Sequence, residues 1–138
     1  MDRDKAMLVV DDQRHTLDDF IDELGSQLNV TTATSVREAA EQLDYVRFDY
    51  GVIDLKLDNT SRFGGLNVYA MMRERNPDSR IVVMSGWRLD DIRADIEAFI
   101  VEGGIDVVIE EVELAFVPKG EGDYIRSVLD RLDLGQPE

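Results

Sequence analysis

Asp11-Asp12, Asp54, Ser85 and Lys119 each stand just beyond a short apolar run, at residues 7–10, 51–53, 81–84 and 114–117 respectively. Three carboxylates brought to one place cannot all stay ionised without a compensating charge. A hard divalent cation with oxygen ligands supplies that charge, and Mg²⁺ suits because it keeps waters and accepts phosphate oxygens. A carboxylate in such a site can attack phosphorus and form an acyl phosphate. Charge on the transferring oxygens then needs neutralising, which the cation and the Lys119 ammonium could do together. The Ser85 hydroxyl could donate a hydrogen bond to the phosphoryl oxygen that results. Singly, each residue has an ordinary reading: Asp11 as a helix cap, Asp54 as a turn residue, Ser85-Gly86 as loop chemistry, Lys119 as surface charge. Their positions at successive run ends, in this order, select the joint reading.

These side chains meet only if the runs before them are strands of one sheet. The chain alternates apolar runs with helical spacing. Leu17, Phe20, Ile21, Leu24 and Leu28 form one stripe, and a β-branched strand follows at 30–33. Ser35-Val36-Arg37-Glu38 is a capping box before Val36, Ala39, Ala40 and Leu43. A third helix is predicted over 66–75, closed by Asn76-Pro77. Leu89, Ile92, Ile96, Phe99 and Ile100 mark a fourth helix that Gly103-Gly104 stops. The fifth strand is expected at 114–117. Ile125, Val128, Leu129 and Leu132 mark a closing helix capped by Asp123.

Five β-α units with continuously apolar strands imply an α/β fold, a doubly wound, flavodoxin-like parallel sheet with helices on both faces. The expected strand order is 2-1-3-4-5, which sets the first and third strands side by side where the order reverses. Sites in such sheets form there, beyond the carboxyl ends of the strands. Residues 105–113, with Val107-Val108-Ile109 inside, are surplus to five units and are expected as an insertion, either an extra strand or a short helix.

With 138 residues the chain is one domain's worth, and 43% hydrophobic against 33% charged residues describes a globular domain with a core. No apolar run approaches the ~20 residues of a membrane span, and residues 1–5 lack a signal peptide's pattern. Cysteine is absent, which excludes disulfides and thiolate metal sites. A cytoplasmic location is expected. Thirty acidic residues against 15 basic ones give a net charge of −15, which repels phosphate backbones and argues against direct nucleic-acid binding.

At Val9-Val10-Asp11-Asp12, Asp54, Gly65-Leu66, Met84-Ser85-Gly86 and Phe116-Val117-Pro118-Lys119 the sequence resembles the bacterial response-regulator receiver domain, from about residue 5 to residue 132. The resemblance implies two-component signalling, with Asp54 as phosphoacceptor and Ser85 and Lys119 holding the phosphoryl group. It implies Mg²⁺ on Asp11, Asp12 and Asp54, with the Lys56 carbonyl completing the protein ligands. It casts Ser85 and Phe116 as switch residues. It sets Lys56 and Trp87 around the approach of the water that hydrolyses the acyl phosphate. The implied partners are a sensor histidine kinase or histidine phosphotransfer protein. Downstream, the implied partner is a protein or second copy on the face of the fourth helix, fifth strand and closing helix.

Departures from the family pattern stand beside the likeness. The 54–65 loop is long, and Asp58 stands where a proline is common. Gly120 follows Lys119 in place of the usual proline, and the 85–119 stretch carries the insertion. They keep open an alternative, a phosphorylation-independent interaction module. A Mg²⁺-dependent phosphohydrolase of the haloacid-dehalogenase type needs a second aspartate two residues after the nucleophile, and that position is Lys56. Residues 1–138 are expected as a single receiver domain without an output domain. His15, the sole histidine, is expected on a solvated first turn.

Overall fold

The structure, a computed structural model, describes residues 5–57, 62–120 and 122–134. The expected Asp58 departure lies outside them. Five strands form one parallel sheet: β1 (Ala6–Val10), β2 (Asn29–Ala33), β3 (Tyr50–Asp54), β4 (Arg80–Ser85) and β5 (Phe116–Pro118). Their order is β2-β1-β3-β4-β5, as the sequence predicts. Six helices surround the sheet: α1 (Arg14–Leu24), α2 (Val36–Tyr45), α3 (Gly64–Arg75), α4 (Leu89–Gly103), α5 (Ile109–Ala115) and α6 (Tyr124–Arg131).

Strand alternation divides the core in two. Met7, Val9, Val52, Val82, Met84 and Val117 pack toward α1 and α6, where Leu17, Phe20 and Val128 meet them. Leu8, Val10, Ile53, Val83 and Phe116 face the other way, onto α2, α3, α4 and α5. Both faces of the sheet are therefore dry. That is why β1, β3 and β4 read as apolar runs, and why the first polar residue beyond each run marks the sheet's rim, whereas the edge strand β2 is half-buried and carries Thr31 and Thr32.

Local signals set most boundaries. The Ser35 hydroxyl accepts from the Glu38 N–H at 3.1 Å, but the Glu38 carboxylate reaches Thr34 rather than Ser35, accepting from its N–H at 2.8 Å. Gly104 adopts φ 60° and ends α4, and the Asp123 carboxylate accepts from the Arg126 N–H to start α6. Gly65 has a different reason. A Cβ there would lie 2.1 Å from the Asp54 carbonyl oxygen and 2.8 Å from the Leu55 Cα, so the first turn of α3 rests on the end of β3. Gly65→Ala is expected to cost about 3 kcal/mol, because backbone rather than a yielding side chain is in the way. Urea unfolding checks this, and an unchanged midpoint would refute the close approach.

The expectation for the fifth strand needs correcting. Leu114 and Ala115 belong to α5, and β5 is only Phe116–Pro118, paired with β4 at Val83↔Phe116, Met84↔Val117 and Ser85↔Pro118. Ile109, Val112 and Ala115 recur every third residue and are buried, while Leu114 is 79% exposed, which is a helix pattern. The insertion is thus a short helix. Glu111 fixes it to α3 through Arg73 and the Tyr69 hydroxyl, and Glu113 pairs with Arg93 of α4 at 3.0 Å. No described peptide bond is cis, including that between Lys119 and Gly120.

Candidate functional site

The ends of β1, β3, β4 and β5 converge. Asp11, Asp12 and Asp54 each offer a carboxylate oxygen, and these lie within 4.8 Å of one another. Asp11 is fully buried, Asp54 nearly so, and Asp12 exposed. The backbone holds these ends in register: Asp11 N–H donates to the Ala33 carbonyl, Leu55 N–H to that of Met84, and Lys119 N–H to that of Ser85.

Asp11 is doubly engaged. Its Oδ1 accepts from the Gln13 N–H at 2.9 Å, and its Oδ2 accepts from Lys119 Nζ at 2.7 Å. Lys119 Nζ stands 4.0 Å from Asp54 Oδ1, so one ammonium serves two carboxylates. Burial works against the charged lysine, yet the Asp11 hydrogen bond and the charge of Asp54 outweigh it and hold Lys119 above its ordinary value.

Asp54 lacks such support. Burial pushes its carboxyl from 3.8 to about 7, and the charges of Asp11 and Asp12 push the same way. Lys119 and a hydrogen bond from the Lys56 N–H pull it down without prevailing. A carboxylate this reluctant to ionise, in a crowd of its own kind, is a place for a cation. All three donors are hard oxygens, and one side of the crevice is open at Asp12. The donor set therefore fits a hydrated divalent ion such as Mg²⁺.

Ser85 is buried, and its Oγ accepts from the Trp87 N–H at 3.0 Å, which leaves its own proton to donate. Lys56 and Trp87 meet: Lys56 Nζ sits 5.7 Å from the centre of the Trp87 ring, over a ring that is 56% exposed. Together with Ser85, Arg62, Phe63 and Ile92 they line a cavity of about 140 Å³. Arg62 and Phe63 were not foreseen. They lie in the loop before α3, where sequence carries no position signal, and Arg62 is tied to Asp95 of α4 at 3.0 Å. Phe116 is already buried, in the core cluster that also holds Val83, Ile92 and Ile96. His15 is exposed in the first turn of α1, as expected.

Comparison with known proteins bears on the fold and the family. The family model for the response regulator receiver domain matches residues 7–114. The photosynthetic apparatus regulatory protein RegA of Cereibacter sphaeroides is 34% identical over 89 residues, which are 61% of this chain and 45% of that protein. The chain thus spans under half the length of that relative. A CheY-like receiver domain protein from Methanospirillum hungatei superposes with a TM-score of 0.65 at 20% identity, over 94% of both chains. A Burkholderia pseudomallei response regulator, solved with a phosphorylated aspartic acid, a calcium ion and citrate, gives 0.58 at 24% identity over 96% of this chain and 75% of that one. TrrA of Thermotoga maritima, in complex with Mg²⁺-BeF, gives 0.63 at 21% identity over 93% and 98%. The structural likenesses speak for the fold, and the family match covers most of the chain. This chain belongs to the response regulator receiver domain family of two-component signalling.

Proposed function

We propose that the chain accepts a phosphoryl group on Asp54 from a phosphohistidine or a small acyl phosphate, with Mg²⁺ held by Asp11, Asp12, Asp54 and the Lys56 carbonyl. The observation that carries this is the Asp54 carboxyl, buried at the end of β3, raised to about 7 and faced by two more carboxylates and Lys119. When bound, Mg²⁺ neutralises the carboxylates and the phosphoryl oxygens. An Asp54 oxygen attacks phosphorus as the bond to the donor's nitrogen or oxygen breaks. Lys119 turns from Asp11 toward the phosphoryl group, and Ser85 donates its free proton to it. Incubation with Mg²⁺ and acetyl phosphate is expected to add one phosphoryl group, located by mass spectrometry to the peptide holding Asp54. No uptake would favour the phosphorylation-independent module. A phosphohydrolase is not supported, because Lys56 lies over Trp87 where a general acid would be needed.

The same reading makes α4, β5 and α6 the output face. Phe116 is buried in this structure, and with Ser85 and the β4–β5 rim it is read as part of the switch.

Lys56 and Trp87 form a cover beside Asp54, and it shields the acyl phosphate from in-line water. The Lys56 charge would also stabilise the hydrolytic transition state. Occlusion is the larger effect, because excluding the water removes the nucleophile. Lys56→Asn and Trp87→Ala are each expected to speed phosphate loss by up to about tenfold, the order of a cation–π contact with its packing. Phosphate release at fixed Mg²⁺ measures it, and unchanged or slower decay in both variants would show that the pair does not shield.

A further inference from the structure

β3 accompanies β4 from Arg80 onward, whereas β5 joins it only at Val83. Backbone groups of a parallel strand face alternate sides. The Met84 carbonyl accepts from the Leu55 N–H on the β3 side, and the Ser85 carbonyl accepts from the Lys119 N–H on the β5 side. By the same alternation the N–H and C=O of Ile81 face the β5 side. There the chain has turned into α5, and the β5 ladder has not begun. In place of the missing strand is a shallow, open groove of about 410 Å³, lined by Ile81, Tyr69, Leu114 and Leu132 among others. Leu114 is 79% exposed at the rim.

The groove's charge is opposite to that of the protein. On a chain of net charge −15 it gathers three arginines, Arg73, Arg80 and Arg131, against two carboxylates, Glu111 and Asp133. Arg73 pairs with Glu111 and Arg80 with Asp133. Arg131 donates to the carbonyls of Leu114 and Phe116, and among the described residues it has no carboxylate partner.

We propose that this open edge of β4 takes an extended, acidic segment of a partner protein by strand addition. Such a segment gives the Ile81 N–H an acceptor and its carbonyl a donor. Its alternate side chains place carboxylates at Arg131 and apolar groups on Leu114 and Leu132. A second copy of this chain is disfavoured, because two bodies at −15 repel as they approach. The groove lies at the opposite ends of β4 and β5 from Asp54, so it is a surface separate from the phosphorylation site.

The test uses the full isotope-labelled chain and two short peptides, one alternating Glu and Val, the other Lys and Val. The Glu-Val peptide is expected to give saturable amide shifts at Ile81 and Val82. Ile81→Pro is expected to weaken binding about tenfold, since proline removes the N–H that faces the groove, while it also removes a side chain packed on the core. Leu114→Glu, at an exposed position, is expected to weaken it comparably by repulsion, and it carries the test if the proline variant fails to fold. The proposal is overturned if the Glu-Val peptide gives no saturable shifts, if the Lys-Val peptide binds equally, or if Leu114→Glu binds like wild type. Self-association abolished by Leu114→Glu would assign the groove to a second copy and also overturn it.

Discussion

Asp54→Asn is expected to abolish phosphoryl uptake and, in the absence of metal, to make the protein more stable than wild type at neutral pH. The loss of uptake follows from the proposed role of Asp54 as the acceptor. The gain in stability follows from the Asp54 carboxyl, which sits at about 7 in the fold against 3.8 for an ordinary aspartate. Between those values the folded chain retains a proton that the unfolded chain releases, so stability falls as pH rises through that window and then levels off. The full displacement corresponds to something on the order of 4 kcal/mol. Asparagine carries no charge to bury, so its variant should lack this slope. Saturating Mg²⁺ should remove it from wild type too, by favouring the ionised carboxylate in the folded state. Urea unfolding in a chelating buffer, at about pH 5 and again at about pH 8, decides the matter. A metal-free wild type that gains stability over that interval, or an Asp54→Asn protein weaker than wild type at the higher pH, contradicts this account.

Lys119→Met should act in the opposite direction. Asp11 is fully buried, and its Oδ2 accepts from the Lys119 ammonium at 2.7 Å. Methionine keeps the bulk and the apolar stem but strands that carboxylate with only the Gln13 N–H on its other oxygen. Breaking one side of a buried ion pair typically costs about 3 kcal/mol or more. Because Lys119 also faces Asp54 at 4.0 Å, the variant leaves three carboxylates with no ammonium among them. Mg²⁺ should therefore restore more stability to Lys119→Met than it adds to wild type, while phosphoryl uptake stays low for want of the lysine. Calorimetric melting with and without Mg²⁺ reads both effects. Equal gains in the two proteins would mean that Lys119 is not the counter-charge of this cluster.

The rim of the sheet was legible in the sequence, and the lateral parts of the site were not. Asp11, Asp54 and Ser85 could be placed because a strand dry on both faces admits no polar residue until it ends. An aspartate after Val10 or Ile53 is therefore a positional marker. Arg62 and Phe63 had no such marker, since their place beside Ser85 depends on how a long loop returns to α3. Val107-Val108-Ile109 left strand and short helix both open for another reason. A short apolar run serves strand and helix alike, and only the burial of Ile109, Val112 and Ala115 separates them. The burial of Phe116 was equally beyond reach, because it depends on a core cluster assembled from elements distant in sequence, α2, α3 and α4 among them.

A three-residue β5 at the margin of the sheet has a dynamic consequence. Few ladder bonds hold it, and its outer side has no neighbouring strand. The energy to open it locally is therefore well below that of opening β1 or β3, each of which is paired on both sides. Lys119 lies immediately beyond this strand, and its N–H is bonded to the Ser85 carbonyl. Fraying of β5 would carry the ammonium away from Asp11 and Asp54 without disturbing the rest of the sheet. Lys119 is thus mounted on the least tethered strand, and the lifetime of its engaged position is set by the breathing of a few hydrogen bonds rather than by global unfolding.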